Sequence, residues 1–368
     1  MLSFDKTEEQ VLIQQTINKI ADDYYDAGKH AEYSELSNGF SPDVWQVVAE
    51  SGLLGLSLTE DVGGYSRGNG DLAVLMESIG KAIFLEPFLS GPIVTGILLE
   101  YLGAPQQHED YIPLISEGKV HFSLTHSEAA SRYQLDYVTT TYTQNGEDYY
   151  ITGQKVFGLG PTNADKYIVS AVPNAADNQS CDAIKFFIID TNSQGIFSQN
   201  YKLTDGTTAC KVEYSQAHAV PLQGGYKAFE KAVAKIKVAA CAEIIGIMGR
   251  VFDDTLEYVK TREQFGRSIG KFQIIQHRLA DQFTALELCR SHLLRMVACD
   301  VENASDRKQI SGSKAFISKT AIDLAEEAVQ LHGGMGITDE LAIGRGLKRL
   351  LVLTTFFGDA DHELKQFA

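Results

Sequence analysis

The chain has 368 residues, and its 48 acidic side chains outnumber 32 basic ones, giving a formal net charge of −16 at pH 7. Nucleic-acid backbones demand an excess of Lys and Arg, so this balance argues against a nucleic-acid-binding protein. No apolar run reaches the roughly 18 residues of a membrane span, and the acidic N-terminus lacks the apolar segment of a secretory signal. We therefore expect a cytoplasmic protein of two or three packed units.

The cysteines argue against a disulfide framework and against a metal site. They are odd in number and widely spaced, and the sequence contains neither a Cys-x-x-Cys pair nor a His-Glu-x-x-His run. This usage is typical of reduced thiols in the cytosol, so we expect no bound metal. The five positions are Cys181, Cys210, Cys241, Cys289 and Cys299.

The first part of the chain has the hydrophobic period of helices and predicts an N-terminal helical domain over residues 1–118. Ser3 is predicted to cap the first helix. Ser41 followed by Pro42 marks a second start, because Ser is a good N-cap and Pro suits the first helical turn. Helices are predicted over residues 7–25, from Pro42 onward, over 71–83 and over 90–102.

The hydrophobic period changes to two over residues 119–226, which predicts a middle β domain. Asn145-Gly146 lies between two of the predicted strands and is the strongest short signal for a hairpin. The gaps are brief and show no helical pattern, so we expect an antiparallel sheet. Strands are predicted over residues 121–124, 137–142, 148–157, 166–172, 184–190 and 209–214.

The helical period returns over residues 227–368 and predicts a C-terminal four-helix bundle. The expected fold class is therefore α+β, with a helical domain, an antiparallel β domain and a bundle in that order. The four bundle helices are predicted over residues 226–261, 271–301, 307–333 and 341–358.

Two motifs in the C-terminal half, together with this order of domains, resemble the acyl-CoA dehydrogenase family over essentially the whole chain. One is the run REQFGRSIGKFQ at residues 262–273, and the other is QLHGGMGIT at residues 330–338. Three shorter segments look most like the small-subunit type of pimeloyl-CoA dehydrogenase. They lie at residues 131–133, 241–243 and 357–362.

The resemblance implies an FAD-dependent oxidoreductase of fatty acid metabolism and β-oxidation. Such enzymes remove a proton from the α-carbon of an acyl-CoA thioester and pass a hydride from the β-carbon to FAD. The implied partners are an acyl-CoA substrate, an acceptor of the electron-transfer flavoprotein type, and further subunits in a homo-oligomer or a hetero-oligomer with a paralogue.

The resemblance also implies a set of cofactor residues. Arg262 suits bidentate pairing with the FAD pyrophosphate of the neighbouring subunit, although a surface ion pair with Glu263 is the alternative. Gln330 can contact an adenine or ribose edge, and Gly333 and Gly334 let the backbone approach a ligand, although one glycine would also serve as a helix C-cap. The same implied set includes Phe265, which is otherwise a core residue, with Gln273 and Asp359.

The middle domain departs from the family pattern. Residues 125–131 read Thr-His-Ser-Glu-Ala-Ala-Ser where the family usually carries Thr-Glu-Pro-Gly-x-Gly-Ser, and Phe157-Gly158-Leu159 replaces a common Trp-Ile-Thr. Thr125 and Ser127 can still donate hydrogen bonds to a flavin or a pyrophosphate, and Phe157 occupies the position that covers the flavin. The lost glycines leave open whether this chain binds FAD alone.

The identity of the catalytic base is the most informative question. Many family members carry a Glu before a Gly-Thr pair after the last long helix, but alignment on Gly358 places Phe357 there, and phenylalanine cannot accept a proton. The first bundle helix is a second location used in the family, and its apolar run 238–249 contains one carboxylate, Glu243. Desolvation is expected to raise the pKa of a lone carboxylate on an apolar face, as a base near neutral pH requires.

Two alternatives to Glu243 as the base stay open. Glu243 could be a structural residue paired with Arg290 or Arg295. Asp359 or Asp361 could instead be the base, although Asp361 with His362 looks more like a structural or inter-subunit contact. Glu243 also lies one heptad beyond Ile236, where helix-borne bases occur in better-known members, which would suit a bulky or branched acyl chain.

Three functions therefore remain. The first is a catalytic acyl-CoA dehydrogenase, the second is a non-catalytic partner subunit of a heteromeric one, and the third is a flavin oxidase or monooxygenase on the same fold.

Overall fold

A computed structural model describes residues 6–65, 67–174, 180–338 and 340–368, so the predicted cap Ser3 lies outside the described residues. Its contacts group the chain into two compact units. The bundle unit contains Met1–Glu32, Asn69–Phe84 and Lys237–Ala368, and the sheet unit contains Tyr33–Gly68 and Leu85–Ile236. This grouping differs from three consecutive domains because the N-terminal helices are distributed between the two units, and the three-domain boundaries stay a prediction.

The described helices follow the predicted order, with two additions in the N-terminal part. Thr7 caps α1 through a capping box, and Ser41 caps α3 with Pro42 in its first turn, as predicted for Ser41. Short polar α2 and α6 were not predicted, because neither carries a wide apolar stripe. The helices up to the sheet are α1 Glu8–Tyr24, α2 Ala27–Glu35, α3 Pro42–Glu50, α4 Asn69–Ala82, α5 Val94–Leu102 and α6 Pro105–Ser116.

The sheet unit contains a seven-stranded sheet with the order β1-β3-β2-β4-β5-β7-β6. The Asn145-Gly146 hairpin is confirmed, because Asn145 on β2 pairs with Asp148 on β3 and Gly146 has a φ of 65°. Six of the eight strand pairings of this sheet are antiparallel, as expected, and the other two, of β4 with β1 and with β2, are parallel. The strands are β1 Phe122–Ser127, β2 Thr141–Asn145, β3 Asp148–Leu159, β4 Lys166–Pro173, β5 Lys185–Asp190, β6 Ile196–Lys202 and β7 Thr208–Gly225.

The C-terminal region contains the four predicted helices and a fifth, α11, which is too short to show a period. A two-stranded β8–β9 hairpin separates the first two helices. In the described part of the chain, no helix has the length and apolar character that crossing a membrane requires. The elements are α7 Tyr226–Thr261, β8 Glu263–Gln264, β9 Arg267–Ser268, α8 Gln273–Val297, α9 Ala304–His332, α10 Ala342–Leu353 and α11 Ala360–Phe367.

Two glycines bring α4 and α7 of the bundle unit into close backbone contact. A Cβ atom built at Gly80 on α4 would lie 2.0 Å from the carbonyl oxygen of Glu243 on α7. A Cβ atom built at Gly246 on α7 would lie 2.0 Å from the carbonyl oxygen of Glu77 on α4. The crossing therefore requires glycine at both positions, and it fixes the helix segment that carries Glu243.

Candidate active site

Glu243 lies in the most deeply buried part of α7. Every residue from 238 to 248 is buried, and Glu243 itself is only 2% exposed. The run is continuous because α7 packs with apolar or small side chains on all sides, as expected for a helix in the interior of a bundle. The predicted position of Glu243, a carboxylate among apolar residues, is therefore confirmed.

The carboxylate of Glu243 forms an ion pair with Arg349 on α10. The Nε and Nη2 atoms of Arg349 each lie 2.7 Å from Oε1 of Glu243. The expectation that Arg290 or Arg295 would be the partner is wrong: Arg290 contacts Glu77 and Glu287, and Arg295 contacts Gln309. The sequence carries arginines on several helices, and it does not show which of them faces α7.

The turn between α10 and α11 is fixed by a buried lysine. The Nζ atom of Lys314, on α9, donates to the carbonyl oxygens of Thr354 and Gly358. Phe357, which stands where many relatives carry the base, is half-buried with a φ of 55°, an unusual conformation for an aromatic residue. Asp359 follows and caps α11, its Oδ1 accepting from the backbone N–H of His362 at 2.8 Å. A role for Asp359 at the cofactor or as a base stays a prediction.

The first motif forms the end of α7 and the β8–β9 hairpin. Arg262 closes α7, with its N–H donating to the Tyr258 carbonyl at 2.8 Å, and its side chain is exposed. Phe265 occupies the hairpin turn with a φ of 53° and is 91% exposed. The alternative interpretation, in which Phe265 packs in the core of the bundle unit, is therefore wrong. Gln273 begins α8 on an exposed position.

The second motif ends α9 and exposes its backbone. Gln330, Gly333 and Gly334 are exposed, and a Cβ atom built at either glycine would meet nothing within 4 Å. Gly333 has a φ of 64° and lies in the C-cap position, so it serves also as the helix terminator. The buried ring of His332 stacks on Tyr258 of α7, which fixes the end of α9 beside the end of α7.

The sheet-unit residues are placed less favourably for a ligand. The Thr125 hydroxyl is fully buried at 3.2 Å from the Ile168 carbonyl and 2.8 Å from the Tyr214 hydroxyl. The hydroxyl is thus bonded within the protein, and a role for Thr125 at the cofactor stays a prediction. Ser127 and Phe157 pair directly across β1 and β3 beside a β-bulge, and both are half-buried.

A buried polar network, which sequence reasoning missed, lies beneath this part of β1. The Nζ atom of Lys155 is fully buried and donates to the His126 carbonyl at 3.1 Å, to Oε1 of Glu128 at 2.9 Å and to the Ser170 hydroxyl at 2.9 Å. Nδ1 of His126 lies 2.9 Å from the same Ser170 hydroxyl. The sequence did contain a sign of this network, since Glu128 stands where the family pattern has its first Gly.

Glu128 also closes the loop that follows β1. Its carboxylate accepts from the backbone N–H groups of Thr139 and Thr140 at 2.8 and 2.9 Å and from the Thr139 hydroxyl. The Ser131 hydroxyl is bonded to both backbone groups of Glu128. The hydroxyls of Ser131 and Thr139 and the amides of Thr139 and Thr140 are thus used within the loop.

Electrostatics in the network follow from burial and from the lysine. Burial opposes ionisation of Glu128, but the Lys155 cation and the hydrogen bonds outweigh it and lower the pKa of Glu128 to about 2. Burial lowers the pKa of Lys155 to about 8 although Glu128 opposes that shift. Burial and the Lys155 cation lower the pKa of His126 to about 3, so its ring is neutral at pH 7.

Comparison with known proteins identifies the family. The profile of the N-terminal domain of acyl-CoA dehydrogenases matches residues 7–119, and that of the C-terminal domain matches residues 223–368. This chain belongs to the acyl-CoA dehydrogenase family. It is therefore an FAD-dependent oxidoreductase by family, as the two motifs indicated.

The relatives cover nearly the whole chain. The mitochondrial isovaleryl-CoA dehydrogenase of Oryza sativa subsp. japonica is 29% identical over 94% of this chain and 87% of its own length. The probable acyl-CoA dehydrogenase YngJ of Bacillus subtilis is 26% identical over 94% of this chain and 93% of its own. The ChsE4–ChsE5 complex of Mycobacterium tuberculosis contains a chain with the same fold, with a TM-score of 0.86, 20% identity, and coverage of 99% and 97%.

The candidate cofactor residues of the bundle unit are exposed and suit FAD, whereas those of the sheet unit suit it only in part. The exposed guanidinium of Arg262 and the open backbone at Gly333 and Gly334 suit a pyrophosphate and a nucleotide. In the sheet unit, the hydroxyls of Thr125 and Ser131 are already bonded to protein groups. When bound, FAD would supply the two-electron redox chemistry of the family.

Proposed function

We propose that this acyl-CoA dehydrogenase acts in the α,β-dehydrogenation of an acyl-CoA thioester, with electrons leaving through an electron-transfer flavoprotein-type acceptor. The observation that carries the proposal is the exposed cofactor face of the bundle unit. Arg262, Gln330, Gly333 and Gly334 lie at the ends of α7 and α9, which the Tyr258–His332 stack joins. These residues would hold the anionic and nucleotide parts of the cofactor across a subunit boundary.

Within this proposal, Glu243 is the residue that takes the α-proton. Its burial excludes water, and it is the one carboxylate in the run 238–249 of α7. Both contacts from Arg349 are to Oε1 of Glu243, so the ion pair occupies one of the two oxygens that could take a proton. Oε1 of Glu243 would therefore act as a base only if Arg349 moves away or shifts its contact when substrate is present.

A second candidate function is that of a non-catalytic partner subunit in a heteromer. Two observations favour it: the Glu243–Arg349 pair, which suits a structural residue, and the closed loop around Glu128 and Ser131. The resemblance to the small-subunit type of pimeloyl-CoA dehydrogenase supports the same assignment. In this case Arg262 would serve a flavin held mainly by a paralogous chain, and the base would come from that chain.

The flavin content of the purified protein separates the two functions. The chain is produced alone and together with a paralogous chain, and bound FAD is measured by absorbance per chain. One FAD per chain in the protein produced alone supports the catalytic function, whereas FAD found only in the co-produced complex, at one per two chains, supports the partner function. Anaerobic addition of acyl-CoA then tests dehydrogenation directly, because the flavin absorbance is lost on reduction. An intact absorbance with acyl-CoA thioesters of every chain type would contradict both.

A further inference from the structure

An open pocket of about 640 Å³ lies entirely within the sheet unit. Its walls come from β3, from β6 and β7, and from the turn between β5 and β6. The volume lies within the range of sites that hold a small organic ligand. None of the described residues that line it is a candidate cofactor or base residue. The side chains of the lining include those of Tyr150, Gln194, Phe197, Ser215, Gln216 and His218.

One side of the pocket is a β-bulge in β7. Ser215 and Gln216 of β7 lie opposite the single residue Thr152 of β3. Gln216 has a φ of 53°, a conformation that residues other than glycine rarely adopt. The Thr152 hydroxyl accepts from the backbone N–H of Gln216 at 3.3 Å and from its Nε2 at 2.8 Å. Bulges and strained residues occur preferentially beside functional sites, which favours a ligand-binding role for this pocket.

The turn between β5 and β6 is fixed against the same bulge. The backbone N–H of Ser215 donates to the Gly195 carbonyl at 2.7 Å. Gly195 has a φ of 84°, and a Cβ atom built there would lie 2.1 Å from the Ser215 carbonyl oxygen, so this contact requires glycine. Gln194 on the turn and Ser215 on the bulge are both exposed, so the amide and the hydroxyl are available to a ligand. The pocket is therefore preformed.

Three rings supply the flat surfaces of the pocket. Phe197 on β6 is 65% exposed. The rings of Tyr150 and His218 meet edge to face, with centroids 5.8 Å apart. Nε2 of His218 lies 3.3 Å from Oδ1 of Asp148. Because an ionised carboxylate can only accept, Nε2 carries the hydrogen, and the neutral ring offers Nδ1 as an acceptor.

The polar part of the lining is uncharged. Among the described residues that line the pocket, none is Asp, Glu, Lys or Arg. The Gln194 amide and the Ser215 hydroxyl can each donate and accept, and Oε1 of Gln216 stays available because Thr152 binds its Nε2. This set matches an uncharged ligand with donors and acceptors on its edge. It supplies no cation for a phosphate or a carboxylate.

We propose that this pocket binds the base of a nucleoside. A nucleobase is flat and stacks on aromatic side chains, which Phe197 and Tyr150 supply. Its edge carries donors beside acceptors, and a glutamine amide such as that of Gln194 can bond to both groups of an adenine edge. Adenosine is therefore the expected ligand. Because the lining is uncharged, recognition depends on the base, and a phosphate on the ribose adds no affinity.

The proposal is tested by calorimetric titration of the full-length protein in its native assembly with adenosine, AMP and ribose. Adenosine is expected to bind, AMP to bind no tighter than adenosine, and ribose not to compete. Phe197→Ala and Gln194→Ala are each expected to lower adenosine affinity by about tenfold or more, through loss of stacking and of the edge contacts. Tyr137→Ala removes an exposed aromatic side chain of the same unit outside the lining and should leave adenosine affinity unchanged.

Four results would overturn the proposal. Equal adenosine affinity in the wild type and in both folded pocket variants, checked by thermal melting, would place the binding at another site. Displacement of adenosine by ribose would identify a sugar site, and tighter binding of AMP than of adenosine would identify phosphate recognition. Absence of adenosine binding at millimolar concentration would leave the pocket without the proposed ligand.

Discussion

Glu243 on α7 and Arg349 on α10 are joined by two nitrogen–oxygen contacts of 2.7 Å to a single carboxylate oxygen. Both side chains are largely removed from solvent, at 3% and 14% of their exposed area, so solvent screens the attraction weakly. The pair therefore bears both on the stability of the bundle unit and on the availability of Glu243 as a base.

Substitution of Glu243 separates these two roles. Glu243→Gln is expected to lower the rate of flavin reduction by acyl-CoA by about 10²–10⁴-fold, because the amide cannot accept the α-proton. It is also expected to lower the free energy of unfolding by about 3–5 kcal/mol, since Arg349 loses its partner. Stopped-flow reduction and thermal melting are measured on the same variant.

Two control variants show whether the effect of Glu243→Gln comes from the lost base or from the lost ion pair. Arg349→Met breaks the same pair but keeps the carboxylate, so folded protein should retain most of the reduction rate. Glu363→Gln breaks another buried pair, Glu363 with Lys237, and should reduce stability without changing the rate. A wild-type rate in folded Glu243→Gln would remove Glu243 from the mechanism and assign the base to a partner chain.

Arg262→Ala is expected to weaken flavin retention by about tenfold to a hundredfold, the equivalent of a charge-assisted hydrogen bond of about 1.5–3 kcal/mol. The melting temperature of the flavin-free protein should stay unchanged, because the side chain is exposed. Equilibrium dialysis of FAD measures the first quantity. Lys260→Ala removes an exposed cation two residues away, and the same loss in that variant would show that only overall charge matters.

The Glu128–Lys155 pair predicts an acid-dependent loss of stability. The folded state holds the pKa of Glu128 at about 2, below its ordinary value of 4.5, so the stabilisation is complete above about pH 4.5 and is lost as the pH falls toward 2. Glu128→Gln should lower the free energy of unfolding at pH 7 by about 3–5 kcal/mol and flatten this part of the pH profile. Denaturant titrations between pH 7 and pH 2 measure both effects.

Glu117 gives the matched control for Glu128. It pairs with Lys119 on the surface at 2.8 Å, with both side chains more than half exposed. Glu117→Gln should change stability by no more than about 1 kcal/mol at any pH. Parallel pH profiles for Glu128→Gln and the wild type would contradict the assigned origin of the acid dependence.

The close crossing of α4 and α7 predicts opposite effects at two glycines of one helix. Gly246→Ala should destabilise the protein by about 1–3 kcal/mol or more, because its Cβ would overlap the Glu77 carbonyl. Gly249→Ala should be neutral or stabilising by up to about 1 kcal/mol, because the nearest atom lies 3.5 Å away and alanine favours the helix. Equal melting temperatures for the two variants would show that α4 yields at the crossing.

The sequence predicted those parts of the fold that local patterns determine. The Ser41-Pro42 helix start, the Asn145-Gly146 hairpin and the helix over residues 226–261 are confirmed. The pairing of strands that are distant in the sequence could not be predicted from local patterns. The parallel contacts of β4 with β1 and β2 depend on where the chain returns after the hairpin, and period-two alternation is the same in parallel and antiparallel strands that face solvent on one side.

The site was predicted by residue type more successfully than by contact. Burial of Glu243 followed from the apolar run around it, whereas the choice of Arg349 as its partner depends on helix packing. Thr125 was expected at the cofactor because threonine can donate a hydrogen bond. The fold instead places Tyr214 opposite it, and that contact joins residues far apart in the chain.

The two glycines at the crossing of α4 and α7, each of which faces a carbonyl group of the other helix, affect how the sequence around them can change in evolution. Where side chains separate two helices, each substitution alters the distance between their axes. At Gly80 and Gly246, backbone meets backbone, so the axes stay at the same separation while the neighbouring side chains change in size and polarity. A lineage could therefore remodel the surroundings of Glu243 for different acyl groups while that carboxylate keeps its place along the helix.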